Sequence, residues 1–215
     1  LAIAVEAINI NDAPYTQRPN MLGLAKALLA HGANPNARLT APAVPMDYGP
    51  GYGKIVRNRD FLNAGAGRIS PVGATPFLMA ALSYDPALMR ILVAAGADPR
   101  LAAKNNVTPL MAAIGMGRKR VDHLAYAEEE EGKVMEMVKM TVELGNDVNA
   151  RETVTGLTPL LCAAFYDHSE KIIQFLVDKG ADLNAKTTAG QTALAIASNV
   201  APKKRHTGSK PFPLL

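Results

Sequence analysis

The 215-residue chain has no tryptophan, a single cysteine and only 5% aromatic residues. One thiol, Cys162, excludes an internal disulfide framework. It follows Thr158-Pro159-Leu160-Leu161 and precedes Ala163-Ala164, a small apolar setting in which free cysteine behaves as a core hydrophobe. A catalytic thiolate needs exposure and a neighbouring base, and the sequence offers neither. No apolar run reaches the roughly 18–20 residues that cross a bilayer, so membrane insertion is not expected. A positively charged start followed by an apolar stretch is missing too. Acids are absent after Ser198, where Lys203, Lys204, Arg205 and Lys210 gather and account for the formal charge of +4. Residues 1–198 therefore balance, with 19 bases against 19 acids. A nucleic-acid binder spreads a basic stripe along its folded face, so nucleic acid is not an expected partner. The short basic tail reads as a solvated segment.

What is present is repetition. Thr75-Pro76-Phe77 precedes Met79-Ala80-Ala81, and Gly96-Ala97-Asp98 closes the unit. Thr108-Pro109-Leu110 opens the next, closed by Gly145-Asn146-Asp147, and Thr158-Pro159-Leu160 leads to Gly180-Ala181-Asp182. Thr192-Ala193-Leu194 starts a further copy, and Leu1-Ala2-Ile3-Ala4 repeats Leu194-Ala195-Ile196-Ala197 letter for letter. Thr75 to Thr108 spans 33 residues and Thr158 to Thr192 spans 34, a period that indicates stacked repeats. Each unit reads as helix, turn, helix and extended hairpin. Proline at the first helical turn is tolerated there. Asp85-Pro86 and Ser169 are expected to start outer helices, and Gly96 and Gly180 to stop them.

With Gly-Ala-Asp recurring behind Thr-Pro-Leu, the chain resembles ankyrin repeats over residues 1–37, 74–115 and 133–198. The resemblance implies a mainly α fold, an ankyrin-repeat α-solenoid of helix-turn-helix pairs with hairpin loops, about five units of which two are incomplete. The expected divisions are a first partial repeat at 1–37, a long loop at 38–72, and repeats at 73–106, 107–155 and 156–189. A partial fifth repeat with the basic tail fills 190–215. Where the family commonly has histidine after Thr-Pro-Leu, this chain has Leu78, Met111, Leu161 and Ala195. That histidine links neighbouring repeats by hydrogen bonds in the family, so apolar packing is expected to hold the seam here.

Two insertions break the period. About 30 residues within Arg38–Val72 are extra, rich in Pro and Gly, and read as a long loop. A second, about 116–131, is expected to push the third unit's outer helix back to about Glu131–Leu144. Arg118-Lys119-Arg120 and Glu128–Glu131 flank it with the charge signs that a helix dipole favours at each end. A shorter excess surrounds Asn9–Asn20. Such loops are similar in general pattern to long-loop bacterial ankyrin proteins, many of them exported, which implies a periplasmic or secreted location over a cytoplasmic one. The chain opens on Leu1 inside a repeat and stops short of a full last unit. It is therefore read as an excerpt of a longer array, or as one whose end faces contact something else.

Candidate chemistry is thin. Gly49-Pro50-Gly51-Tyr52-Gly53-Lys54 lacks the first glycine and the final hydroxyl of a phosphate-binding loop: Tyr48 and Ile55 stand there. His123, with Asp122 and the glutamate run, offers too few ligands for a closed zinc site. No nucleophile, base and orienting acid come together in sequence. The expectation is therefore no catalytic residue, no metal, no cofactor and no enzyme. The resemblance implies instead a protein-interaction scaffold that meets a protein partner through hairpin tips, inner-helix ends and long loops. Carried onto this chain, those positions are Arg100, Lys104, Arg151, Glu152 and Lys186 at the tips, with Tyr84, Met116, Phe165 and Tyr166 at the helix ends. The competing reading is an accessory subunit or domain of an exported redox or hydrolytic enzyme complex.

Overall fold

The computed structural model describes residues 21–40, 72–116, 128–165 and 170–199. Among these residues the secondary structure is helical and no strand is present. The helices are α1 (Met21–Ala30), α2 (Pro76–Leu82), α3 (Pro86–Ala94), α4 (Pro109–Ala113), α5 (Glu128–Glu143), α6 (Pro159–Phe165), α7 (Glu170–Asp178) and α8 (Ala193–Asn199). A short 3-10 turn covers Lys104–Asn106.

The recurring threonine starts each of the four described inner helices by the same means. The hydroxyls of Thr75, Thr108, Thr158 and Thr192 accept the backbone N–H groups of Leu78, Met111, Leu161 and Ala195, each at 3.3 Å. Each bond satisfies one of the donors that a helix start leaves without a partner. Asp85 caps outer helix α3 in the same way, accepting from Leu88 N at 2.9 Å. Outer helices stop at Gly32, Gly96, Gly145 and Gly180, all with φ between 85° and 89°. The residue after each glycine returns its N–H to a carbonyl five positions back, as in Ala97 N to Leu92 O at 2.9 Å.

The inner helices α2, α4, α6 and α8 contact one another in chain order, and α3 touches both α1 and α5 on the outer side. Ala80, Ala81, Ala112, Ala113 and Ala163 are fully buried, and small side chains there let neighbouring helices approach closely. Leu78, Met111 and Leu161, which stand at the motif position of the missing histidine, are each 0% exposed. The seam is apolar, as expected.

One boundary differs from expectation. Helix α5 begins at Glu128, not near Glu131, and ends at Glu143. The backbone of the glutamate run thus forms the first turn instead of leading into it. Arg118–Arg120, His123, Ser169, the segment Asn9–Asn20, most of the Arg38–Val72 loop and the basic tail lie outside the described residues.

Candidate functional site: the hairpin edge

Hairpins joining one outer helix to the next inner helix are tied to each other by side chains. Asn36 donates from Nδ2 to Gly96 O at 3.1 Å, and its Oδ1 accepts from Asp98 N at 2.7 Å. Asn149 repeats the pair on the last junction, with Gly180 O at 2.9 Å and Asp182 N at 2.8 Å. Between them, Asn146 donates to Pro99 O and to Thr141 O, each at 3.0 Å, and accepts from Leu110 N at 3.3 Å. The long loop leaves and re-enters through a paired stem, since Leu39 N donates to Ala74 O and Gly73 N to Leu39 O.

Of the expected tip residues, Arg100, Lys104, Arg151 and Lys186 are exposed. Asp98 accepts both the backbone N–H of Arg100, at 3.0 Å, and its Nε, at 3.2 Å. Those two bonds hold the Asp98 carboxyl below its ordinary range. Phe165 is half-buried at the end of α6, and Tyr166 lies outside the described residues.

Three expected positions differ in exposure. Glu152 is only 3% exposed because its carboxylate closes the hairpin turn. It accepts from Val154 N at 2.7 Å, from Thr155 N at 2.6 Å and from the Thr155 hydroxyl at 2.6 Å. Met116 is 2% exposed: Gly115 takes φ 110° and Met116 N returns to Met111 O at 3.0 Å, folding the thioether into the core. Tyr84 is 9% exposed. Its left-handed φ of 53° turns the chain sharply between α2 and α3, and the ring joins the core. These three side chains present little or no surface to a partner.

Sequence reasoning missed Arg38 and the asparagines. Arg38 Nη1 donates to Gly73 O at 2.9 Å and to Ala102 O at 2.8 Å, bridging two hairpins. A signal was available, because Asn36, Asn149 and Asn184 each stand directly before an alanine at the same place in their units.

Chemistry does not converge on this edge. Cys162 is fully buried, and desolvation, with Glu152 adding a smaller repulsion, pushes its thiol well above the usual range. Among the described residues no cluster of His, Cys, Asp or Glu is grouped to hold a metal, and no helix is long and apolar enough to cross a membrane. An open groove of about 490 Å³ on the outer side, lined by Val93, Ala94, Met140 and Leu144, is spanned by an Arg90–Glu136 ion pair at 2.5 Å.

No curated protein matches the chain. The units opened by Thr75 and Thr108 share their cap and seam geometry with the unit opened by Thr158. Residues 123–203, which contain α5 to α8, match the family model for ankyrin repeats as three copies, and this supports the ankyrin repeat family.

Proposed function

We propose that the chain is a non-catalytic scaffold, a solenoid of about five ankyrin units, that binds a protein partner along its hairpin edge. Ankyrin repeats generally mediate protein–protein contact, and residues 123–203 match their family model. The observation that carries the reading for this chain is the construction of the edge. Successive hairpins are fixed to one another by Asn36, Asn146 and Asn149, yet they leave Lys104, Arg151 and Lys186 exposed. A surface ordered before binding loses little conformational freedom on association. Phe165, half-buried at the end of α6, supplies the kind of aromatic anchor that dominates interfaces.

Photo-crosslinking tests this side against the other. Benzoylphenylalanine is placed at Lys104, Arg151 or Lys186 on the hairpins, and at Lys139 or Gln174 on the exposed outer helices. Hairpin positions are expected to yield one common adduct, identified by mass spectrometry, and outer-helix positions none. Adducts formed from the outer helices alone would overturn the proposal.

A further inference from the structure

Among the described residues, and beyond the turns that follow the outer helices, the hairpin edge carries charge of one sign. In residues 36–39, 100–108, 149–158 and 184–192 the only acid is Glu152, and its carboxylate is buried and engaged by Val154 and Thr155. The four inner helices contain no charged residue, so nothing on their faces offsets the cations. Asp98, Asp147 and Asp182 stand earlier, at the turns that follow the outer helices, and each accepts the N–H two residues on. Asp98 also neutralises Arg100. Asp147 and Asp182 stay exposed at those turns, and beyond them each successive hairpin has one exposed cation among the described residues: Arg38, Lys104, Arg151 and Lys186.

Two of the four are held in position. Arg38 is fixed by the Gly73 and Ala102 carbonyls through Nη1, and among the described residues these are the acceptors its guanidinium meets. Arg151 lies over Gly156, where an added Cβ would fall 2.5 Å from Nη2 and 2.9 Å from Thr188 N of the next hairpin. The glycine leaves the space that the guanidinium occupies. Packed helices lie about 8–10 Å apart, and an extended chain advances about 3.3–3.6 Å per residue. Every third residue of an extended peptide laid across the hairpins therefore meets a new one.

From this geometry we infer that the edge binds an extended acidic segment of the partner protein, with a carboxylate at about every third residue facing the cations in turn. The inference rests on the docking surface proposed above and adds the chemistry of what docks. A peptide fits better than a single-stranded nucleic acid, which needs aromatic platforms for its bases. Among the described aromatics of the inner helices Phe77 is buried and Phe165 half-buried, and Tyr84, in the turn after α2, is buried as well.

Fluorescence anisotropy with the full chain tests it. The probe is a labelled peptide of about 12 residues with glutamate at every third position and neutral residues between, long enough to cross the four hairpins. Comparison probes carry glutamine for glutamate, or the same glutamates in one block, and a single-stranded oligonucleotide matches the charge. The spaced glutamate peptide is expected to bind tightest. Arg151→Gln and Lys186→Gln should each weaken it about two- to fivefold, the range of an exposed ion pair, with unchanged circular dichroism. Equal binding of the glutamine peptide, no loss in the R151Q/K186Q double variant, or equal binding of the oligonucleotide would overturn the inference. If hairpin crosslinks to the partner persist in that event, only the acidic-segment inference falls; if they are absent, the docking surface itself is wrong.

Discussion

Asn146 resolves a local conflict between two rules of the repeat. Asn36 and Asn149 tie their hairpins to the following turn, but at the corresponding place of the intervening unit stands Arg100, whose side chain is spent on Asp98. That junction would lack its tie. The next unit supplies it from the other side, because Asn146 occupies the position held by Ala97 and Ala181 in the neighbouring units. Its amide reaches back to Pro99 O while its oxygen caps Leu110 N at the start of α4. Asn146→Ala installs the residue found at the equivalent positions, yet it removes three bonds and leaves the buried Leu110 N–H without its acceptor. A loss of about 1–3 kcal/mol in unfolding free energy is expected from urea denaturation. Asn149→Ala, at an exposed side chain, should cost less, about 0.5–1.5 kcal/mol. Equal losses would show that the buried tie has no special weight.

At the scale of the element, the start and stop signals were legible because each rests on a local bond. Threonine before proline capped α2, α4 and α6, and Asp85 capped α3. The position of Tyr84 and Met116 was not legible, since it depends on how the chain reverses after a short helix. Left-handed φ at Tyr84 and Gly115 turns both side chains inward, and side-chain spacing alone does not report that. Glu152 misled for a related reason: a hairpin glutamate reads as solvated until its carboxylate is seen closing the turn over Thr155. The exposure of Lys104, Arg151 and Lys186 on the hairpins was legible, but Arg38 was hidden by the long loop that follows it. What the sequence did expose was the seam, through the substitution of apolar residues for the motif histidine. Leu161 is fully buried where α6 meets its neighbours, so Leu161→Ala should destabilise the chain by about 2–5 kcal/mol. Leu194→Ala, at a side chain 78% exposed in α8, should shift the denaturation midpoint little, within about 0.5 kcal/mol. Similar shifts for both would mean that the inner-helix seam is not where the stability resides.

Across the whole molecule, helices that touch only their neighbours make stability a local property. Helices α4 and α6 each pack against an inner helix on both sides, and every residue of α4 is buried. By contrast, α1 buries only Ala25, and within 193–198 of α8 only Ile196 is buried. The free energy of local opening should therefore be higher in α4 and α6 than in α1 and α8. Hydrogen exchange read by mass spectrometry is expected to show the slowest amides in α4 and α6 and the fastest in α1 and α8. The gradient also bears on recognition. Lys104 and Arg151 stand on the hairpins that lead into α4 and α6, whereas Lys186 stands on the hairpin before α8. The middle of the cationic row should thus rest on the more protected helices, and Lys186 on one that opens more readily. Leu161→Ala should sharpen the contrast by releasing α6 and α8 together while leaving α2 and α3 protected. Protection lost uniformly from α2 to α8 in that variant would instead show one cooperative unit, in which no hairpin is held more firmly than another.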